Sequence, residues 1–216
     1  MAMMHDRLAL ITAARSMAGL GINQGAAGNI SVRTAAGMLI TPSAIPYDDM
    51  TPEMVALMPL AGAYGAYEGQ KRPSSEWRFH LDIMRARPEV GAIVHTHAPY
   101  ATAISMARRD IPPCHYMVTR FGGGDVRCAP YALFGTAELS AVALAALEAR
   151  TACLLANHGF IATGADLAGA MAAAVELEAL AKQYVLSLSV GGPVLLTDVE
   201  IAEAARQFAT AYTPNV

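Results

Sequence analysis

Two short runs, Asn29–Arg33 and Gly37–Thr41, are separated only by Thr34-Ala35-Ala36, and that spacing constrains the fold more than any other feature of the chain. Parallel neighbours need a crossover of a dozen or more residues, so the pair reads as an antiparallel hairpin. Two more short strands, Ala152–Ala156 and Phe160–Thr163, flank the tight turn Asn157-His158-Gly159, and Val90–His97 reads as a buried strand. Helical spacing fills much of the rest. Asp6 is placed to cap a first helix whose residues Leu8, Ile11, Ala14 and Met17 share a face, ending at Gly19 and Gly21. Pro73-Ser74-Ser75 opens a second helix, with Trp77, Leu81 and Met84 on one face, stopped before Pro88. Further helices are predicted over Pro99–Arg108, Ala137–Ala149 and Ala165–Val190, and the capping box Thr197-x-x-Glu200 opens a last one to about Tyr212. Pro42, Pro46 and Pro52 keep their stretch as loop, and Gly62–Arg72 looks like a polar hairpin. Hairpins mixed with helices predict one α+β domain over residues 1–216, with an antiparallel sheet covered by helices. The regular strand–helix alternation of a doubly wound fold is missing.

Composition removes several functions. Hydrophobic residues make up 54% and charged residues 15%, which excludes a disordered chain. A net charge of -3 provides no basic field for nucleic acid, and the 6% of aromatic residues form no stacking platform. The mean hydropathy of +0.34 raises the question of a membrane. The most apolar stretch, Ala165 to Leu196, is interrupted by Asp166, Glu176, Glu178 and Lys182, so no spanning helix is expected. A high apolar fraction without a span predicts surface buried between subunits. The N-terminal stretch lacks the pattern of a secretory signal. Cys114, Cys128 and Cys153 match no zinc-knuckle spacing and read as free thiols in a reducing, cytoplasmic setting.

The chemistry concentrates in a few places. His95-Thr96-His97 ends the strand Val90–His97, and alternation sends both histidines to one side. Two imidazoles on one face suit a divalent metal of borderline softness. His158, in the turn after another apolar strand, is positioned to complete a set of three, with a fourth place for a carboxylate or substrate. Glu76 is the natural carboxylate, although an acid in a first helical turn also complements the helix dipole. His80, four residues on, shares its face and reads as a supporting or core residue. Gly28-Asn29, Thr41-Pro42-Ser43-Ala44 and Ser74-Ser75 offer small and hydroxyl residues with free N–H groups, which bind phosphate without a lysine. Gly122-Gly123-Gly124 has neither the strand nor the helix of a P-loop.

Gly28-Asn29-Ile30-Ser31, Leu39-Ile40-Thr41-Pro42-Ser43, Pro73-Ser74-Ser75-Glu76, His95-Thr96-His97-Ala98 and Asn157-His158-Gly159 stand in the order found in the class II aldolase/adducin family. The chain resembles that family over roughly residues 7 to 212, with longer shared runs at Pro73–His80, Ile111–Met117 and Cys128–Gly135. The resemblance is strongest to its ketose-1-phosphate aldolases. It implies a three-layer α/β/α sandwich with a mainly antiparallel central sheet, and a homotetramer with active sites between subunits. It implies one Zn2+ per chain, with Mn2+ or Co2+ as other ions the site would take, held by His95, His97, His158 and Glu76. Gly28, Asn29, Ser43, Ala44, Ser74 and Ser75 fall at the phosphate-binding positions. Ala44 stands where the most similar relatives have glycine, which matters if the position needs positive φ. Tyr116 matches a tyrosine that donates a proton, and Tyr212 resembles a second tyrosine supplied to a neighbouring subunit, in a register off by one.

The implied reaction is reversible cleavage of a small-molecule sugar phosphate to dihydroxyacetone phosphate and a small aldehyde. The candidates are L-fuculose 1-phosphate, 5-deoxyribulose 1-phosphate and 5-methylthioribulose 1-phosphate. Zinc would polarise the substrate as a Lewis acid, Glu76 would move a proton at C3, and Tyr116 would exchange one with the C4 oxygen. The related pentulose-phosphate 4-epimerases carry aspartate at the position of Glu76, which favours the aldolase reading. Sugar-acid-phosphate decarboxylase and methylthioribulose-phosphate dehydratase chemistries also occur in the family. A non-catalytic adducin-like assembly module would be expected to lose the histidines that this chain retains. The aldehyde pocket is expected around Phe134, the C-terminal helix and a neighbouring chain.

Overall fold

The computed structural model describes residues 2–211. The hairpin forms as the spacing dictates: β1 (Asn29–Thr34) pairs antiparallel with β2 (Gly37–Ile40), bringing Thr34 opposite Gly37. The free edge of β1 takes β4 (Ala92–Thr96), whose own far edge takes β7 (Gly159–Gly164), and β6 (Ala152–Leu155) folds back on β7. A short β3 (Ala56–Met58) extends the sheet beyond β2, and β5 (Cys128–Ala129) lies parallel to β6. The order is β3-β2-β1-β4-β7-β6-β5, so β4 is central.

Successive residues of a strand point to opposite faces, and both faces are buried. Ala92 and Val94 join Ile30, Leu39, Leu154 and Phe160 beneath α1 (Ala2–Gly19), α3 (Pro99–Met106) and α5 (Leu167–Leu188). Ile93 joins Met38, Ile40, Leu155 and Ile161 beneath α2 (Trp77–Ala86) and α4 (Ala137–Ala146). The result is the expected three-layer sandwich with a mainly antiparallel sheet. A sixth helix, α6 (Asp198–Ala211), packs against a short 3-10 helix at Tyr116–Phe121. Among the described residues no helix is long and apolar enough to cross a membrane.

Several expected details shift. The helix α1 starts at Ala2, so Asp6 lies inside it rather than capping it; alanine and methionine are strong helix formers. Gly62–Arg72 does not form a hairpin, because Gly62, Gly65 and Gly69 all take positive φ and leave a single bridge, Leu57 to Glu68. Helix α2 begins at Trp77, which puts Glu76 at the N-cap, with φ -103 and ψ 13, rather than in the first turn. Asp166 caps α5, accepting the Gly169 N–H at 2.7 Å. The Thr197–Glu200 capping box forms as expected, with reciprocal contacts of 2.8 and 3.3 Å. The three cysteines are free thiols. Tyr212 lies outside the described residues.

Two local features generate predictions. Glu178 on α5 reaches the N-terminus of α3 just beyond His97, accepting the Tyr100 N–H at 2.8 Å and the Ala101 N–H at 2.9 Å. Those are orphan donors of a helix start, and the carboxylate also complements the dipole. Glu178→Ala is expected to lower the unfolding free energy by about 2–4 kcal/mol, since two charge-assisted bonds are lost. Urea denaturation checks it, and an unchanged midpoint would show that the carboxylate is dispensable. Ala44, in the loop after β2, has φ 57, so the position does demand the left-handed conformation. Alanine there costs roughly 1–2 kcal/mol, so Ala44→Gly is expected to stabilise the fold even after glycine's extra chain entropy is subtracted. A thermal melt should rise by about 2–4 °C for each kcal/mol gained; a fall would remove the strain argument.

Candidate active site

The C-terminal end of β4 gathers side chains from three elements. In the ladder His95 stands opposite Asn29 of β1 and Ile161 of β7. His97 follows on the same side, and His158 comes from the turn between β6 and β7. That turn needs Asn157 at φ 55, a conformation asparagine tolerates. It also needs Gly159, where a Cβ would collide with the Thr96 carbonyl and the His97 ring. Glu76 enters from the helical layer beneath, and its N-cap backbone turns the side chain inward instead of along the helix.

The ligand atoms of Glu76, His95, His97 and His158 all lie within 4.8 Å of one another. Glu76 Oε2 is 3.0 Å from His95 Nε2, Glu76 Oε1 is 3.1 Å from His158 Nε2, and the Nε2 atoms of His95 and His97 are 3.1 Å apart. His95 Nδ1 donates to the Phe160 carbonyl at 2.9 Å, which turns Nε2 toward the cluster. Glu76 Oε1 is buried and makes no hydrogen bond. Lone pairs facing one another at this range repel unless a cation sits between them. Tetrahedral donors about 2.0–2.2 Å from an ion stand roughly 3.4 Å apart, close to the spacings here. Three imidazoles and a carboxylate therefore fit a divalent metal ion in both geometry and chemistry.

Electrostatics agree with that fit. Burial pushes the Glu76 carboxyl upward, but His95 and His158 outweigh it and hold the group well below the usual carboxylate range. His97 is pushed down to about 4, by burial first and then by its histidine neighbours. It is therefore a neutral ligand at pH 7. His80 is fully buried and pushed down to about 3, chiefly by desolvation and secondarily by His95.

A cleft of about 330 Å³ opens over the cluster, lined by Ala27, Ser75, Glu76, His97, Tyr131, Ala132, Phe134, Asn157 and His158. Beside it lies a second of about 490 Å³, lined by Ser43, Gly65, Tyr67, Arg72, Pro73, Ser74, Ser75 and Trp77. The six expected phosphate residues thus divide. Ser43, Ser74 and Ser75 share the second cleft, and Ser75 borders both. Ala44 adjoins Ser43 on the same loop. Gly28 is glycine because β4 passes closely, with a Cβ there falling 2.6 Å from the His95 carbonyl oxygen. Asn29 is buried and lines neither cleft, its side chain donating to Glu76 Oε2 at 3.0 Å and facing His80. Tyr116 is half exposed and lines neither cleft of its own chain; its ring stacks on Phe208 at 5.9 Å. Phe134 lies on the cleft rim, as expected.

Arg72, Tyr131 and Arg108 escape a reading of the sequence. Arg72 lines the second cleft, where the sequence motifs offer only small and hydroxyl residues. Arg108 donates to Asn157 Oδ1 at 2.8 Å and lies 5.9 Å over the Tyr131 ring, a contact that joins residues 49 and 23 positions away. No local pattern announces it, although Tyr131 itself falls in the Cys128–Gly135 run.

Known proteins resemble the chain over nearly its whole length. The model of the class II aldolase and adducin N-terminal domain matches residues 8–185. A 5-methylthioribulose-1-phosphate/5-deoxyribulose-1-phosphate aldolase of Rhodospirillum rubrum is 50% identical over 204 residues, covering 94% of this chain and 91% of that one. An L-fuculose phosphate aldolase of Escherichia coli is 45% identical over 202 residues, 93% of either chain. Among solved structures, an L-fuculose 1-phosphate aldolase superposes with a TM-score of 0.89 at 37% identity, covering 94% of this chain and 95% of its own. The sandwich, the order of the motifs and these likenesses converge, and the chain belongs to the class II aldolase and adducin family.

Proposed function

We propose that this aldehyde-lyase is a zinc-dependent enzyme that reversibly cleaves a ketose 1-phosphate to dihydroxyacetone phosphate and a small aldehyde. The observation that carries the reading is the Glu76 carboxylate, buried among three imidazoles at the floor of a cleft that Ser75 also borders. A divalent metal held by His95, His97, His158 and Glu76 supplies Lewis-acid polarisation of the substrate oxygens when bound. Ser43, Ala44, Ser74 and Ser75, with Gly28 and Asn29 behind them, take the phosphate end, and Arg72 adds a positive charge beside them. Glu76 moves the proton at C3, and Tyr116 exchanges one with the C4 oxygen.

The half-exposed Tyr116 lies apart from its own cleft, which favours its serving a neighbouring copy in a homotetramer. Tyr212 would be supplied to a neighbour in the same way. Exposed apolar residues such as Leu8, Leu20, Val190 and Val194 support burial between copies. One domain over 1–216, in the cytoplasm, completes the reading. The cleft wall formed by Tyr131, Ala132 and Phe134 offers apolar carbon to the aldehyde end. That wall suits a methylthio or 5-deoxy terminus, as the name of the Rhodospirillum rubrum relative suggests, ahead of L-fuculose 1-phosphate. The physiological place would then be methylthioadenosine or 5-deoxyadenosine salvage.

A coupled assay for dihydroxyacetone phosphate tests this on L-fuculose, 5-deoxyribulose and 5-methylthioribulose 1-phosphates. Chelation is expected to abolish release and zinc to restore it. Glu76→Gln is expected to lower kcat by about 10²–10⁴-fold, the range for a general acid–base group. Zinc should also raise the melting temperature of the chelated protein. At a thousandfold excess over Kd the gain is about 4 kcal/mol. Zinc-loaded protein that releases no dihydroxyacetone phosphate from any of the three would overturn the aldol reading in favour of epimerase, decarboxylase or dehydratase chemistry.

A further inference from the structure

We infer that His80 is a positioning residue for the Glu76 carboxylate, acting through Asn29 and anchored by Ser31. The inference rests on the proposed role of Glu76 and adds to it the residues that fix how that group is presented. Asn29 and Ser31 are two apart on β1 and share one face of the strand, while Glu76 and His80 are four apart on the α2 side. Strand and helix periods bring the two pairs level. The result is a chain of contacts: Ser31 Oγ to His80 Nδ1 at 2.7 Å, His80 Nε2 to Asn29 Oδ1 at 2.5 Å, and Asn29 Nδ2 to Glu76 Oε2 at 3.0 Å. Ser31 and His80 are fully buried, and Asn29 and Glu76 are each 5% exposed, so the contacts lie shielded within the fold. The Phe79 ring stacks on His80 at 4.6 Å and holds its plane.

The chain has one possible direction. An ionised carboxylate only accepts, so the Asn29 amide must turn its Nδ2 toward Glu76. Its Oδ1 then faces His80, whose Nε2 must carry the ring proton. Nδ1 is left with the lone pair, which takes the Ser31 hydroxyl proton. Remove His80 and nothing prevents the Asn29 amide from flipping and setting Oδ1 against the carboxylate. The relay thus pins Glu76 at Oε2 and leaves Oε1, the oxygen without a hydrogen bond, as the one available to a cation or a proton.

The test compares His80→Phe, which fills the volume but can neither donate nor accept, with His80→Gln, whose carboxamide can do both. His80→Phe should lower kcat by about 10–100-fold, the cost found for lost outer partners of a metal site, with KM within about twofold. His80→Gln should recover most of the loss. Asn29→Ala should mask it, so that the double variant with His80→Phe is no worse than Asn29→Ala alone. Two readouts need no turnover: zinc affinity by chelator competition, expected to weaken in His80→Phe and recover in His80→Gln, and the His80 tautomer by 15N NMR of the metal-free protein, expected to be Nε2–H. Should His80→Phe not fold, Ser31→Ala carries the comparison: with the anchor at Nδ1 gone, kcat and zinc affinity are expected to fall less than in His80→Phe, while the His80 tautomer stays Nε2–H because Asn29 sets it, and unchanged zinc affinity would count against the relay. Multiplicative losses in the double variant, wild-type turnover and zinc affinity in folded His80→Phe, or an Nδ1–H tautomer would each overturn the relay. If the wild-type protein releases no dihydroxyacetone phosphate, the proposed reaction fails, while the affinity and tautomer arms still judge the relay.

Discussion

A carboxylate 5% exposed, set among three imidazoles at the end of a buried strand, is the constraint around which this molecule is arranged. Left alone in such a place it would take up a proton, because burial penalises the charged form by several kcal/mol. His95 and His158, drawn close on either side, outweigh that penalty, and Asn29 donates a hydrogen bond to the carboxylate. Each of those partners must in turn be held. His95 is fixed by the Phe160 carbonyl, and Asn29 by His80. The fixation runs through both neighbours of β4, so a one-residue slip of β1 or β7 would turn its contribution to the opposite face.

The opposite face of β4 shows why slippage is resisted. Thr96, between the two histidines, points away from the cluster and donates its hydroxyl to the Ile22 carbonyl. Tyr47 donates to the Gly28 carbonyl at 2.5 Å and receives the Asn23 amide at 3.3 Å, tying the loop after α1 to the start of β1. The buried polar groups behind the sheet therefore clamp the same strand ends that carry ligands in front. Gly28 and Gly159 permit the clamping, since at both positions backbone occupies the space a side chain would need. Precision at the metal cluster is thus a product of backbone packing as much as of the ligands.

The parts of this arrangement that were legible in the sequence follow from short periods. Alternation puts His95 and His97 together, and a three-residue turn after an apolar strand presents His158. The helical repeat sets His80 level with Glu76. What escaped depends on long-range contact or on special backbone. Gly28-Asn29 reads locally as a phosphate loop, and nothing in that run announces that the Asn29 amide donates to a carboxylate 47 residues away. The run Pro73-Ser74-Ser75-Glu76 predicts Glu76 in the first helical turn, whereas its N-cap backbone is what turns it inward. β3 and β5, three and two residues long, are too brief for alternation to register, and the three left-handed glycines between Gly62 and Gly69 undo a hairpin that composition suggested.

The two halves of the cleft are built to different standards. The metal cluster sits on strand ends and a helix cap with buried supports, whereas Tyr131 and Phe134 are 56% and 59% exposed on a loop. A rim of that kind can change its side chains without disturbing the sheet, which is how one fold can serve aldehydes of different shape. The separation is incomplete at one place. Arg108, itself held at φ 52, lies against the Tyr131 ring while bonding the Asn157 side chain, and Asn157 is the residue that turns His158 inward. A change at the rim that moves Arg108 is thereby transmitted to a metal-site histidine through two contacts. On the proposed reading, the rim that would meet the aldehyde and the placement of His158 are then mechanically linked, although the two lie on different elements.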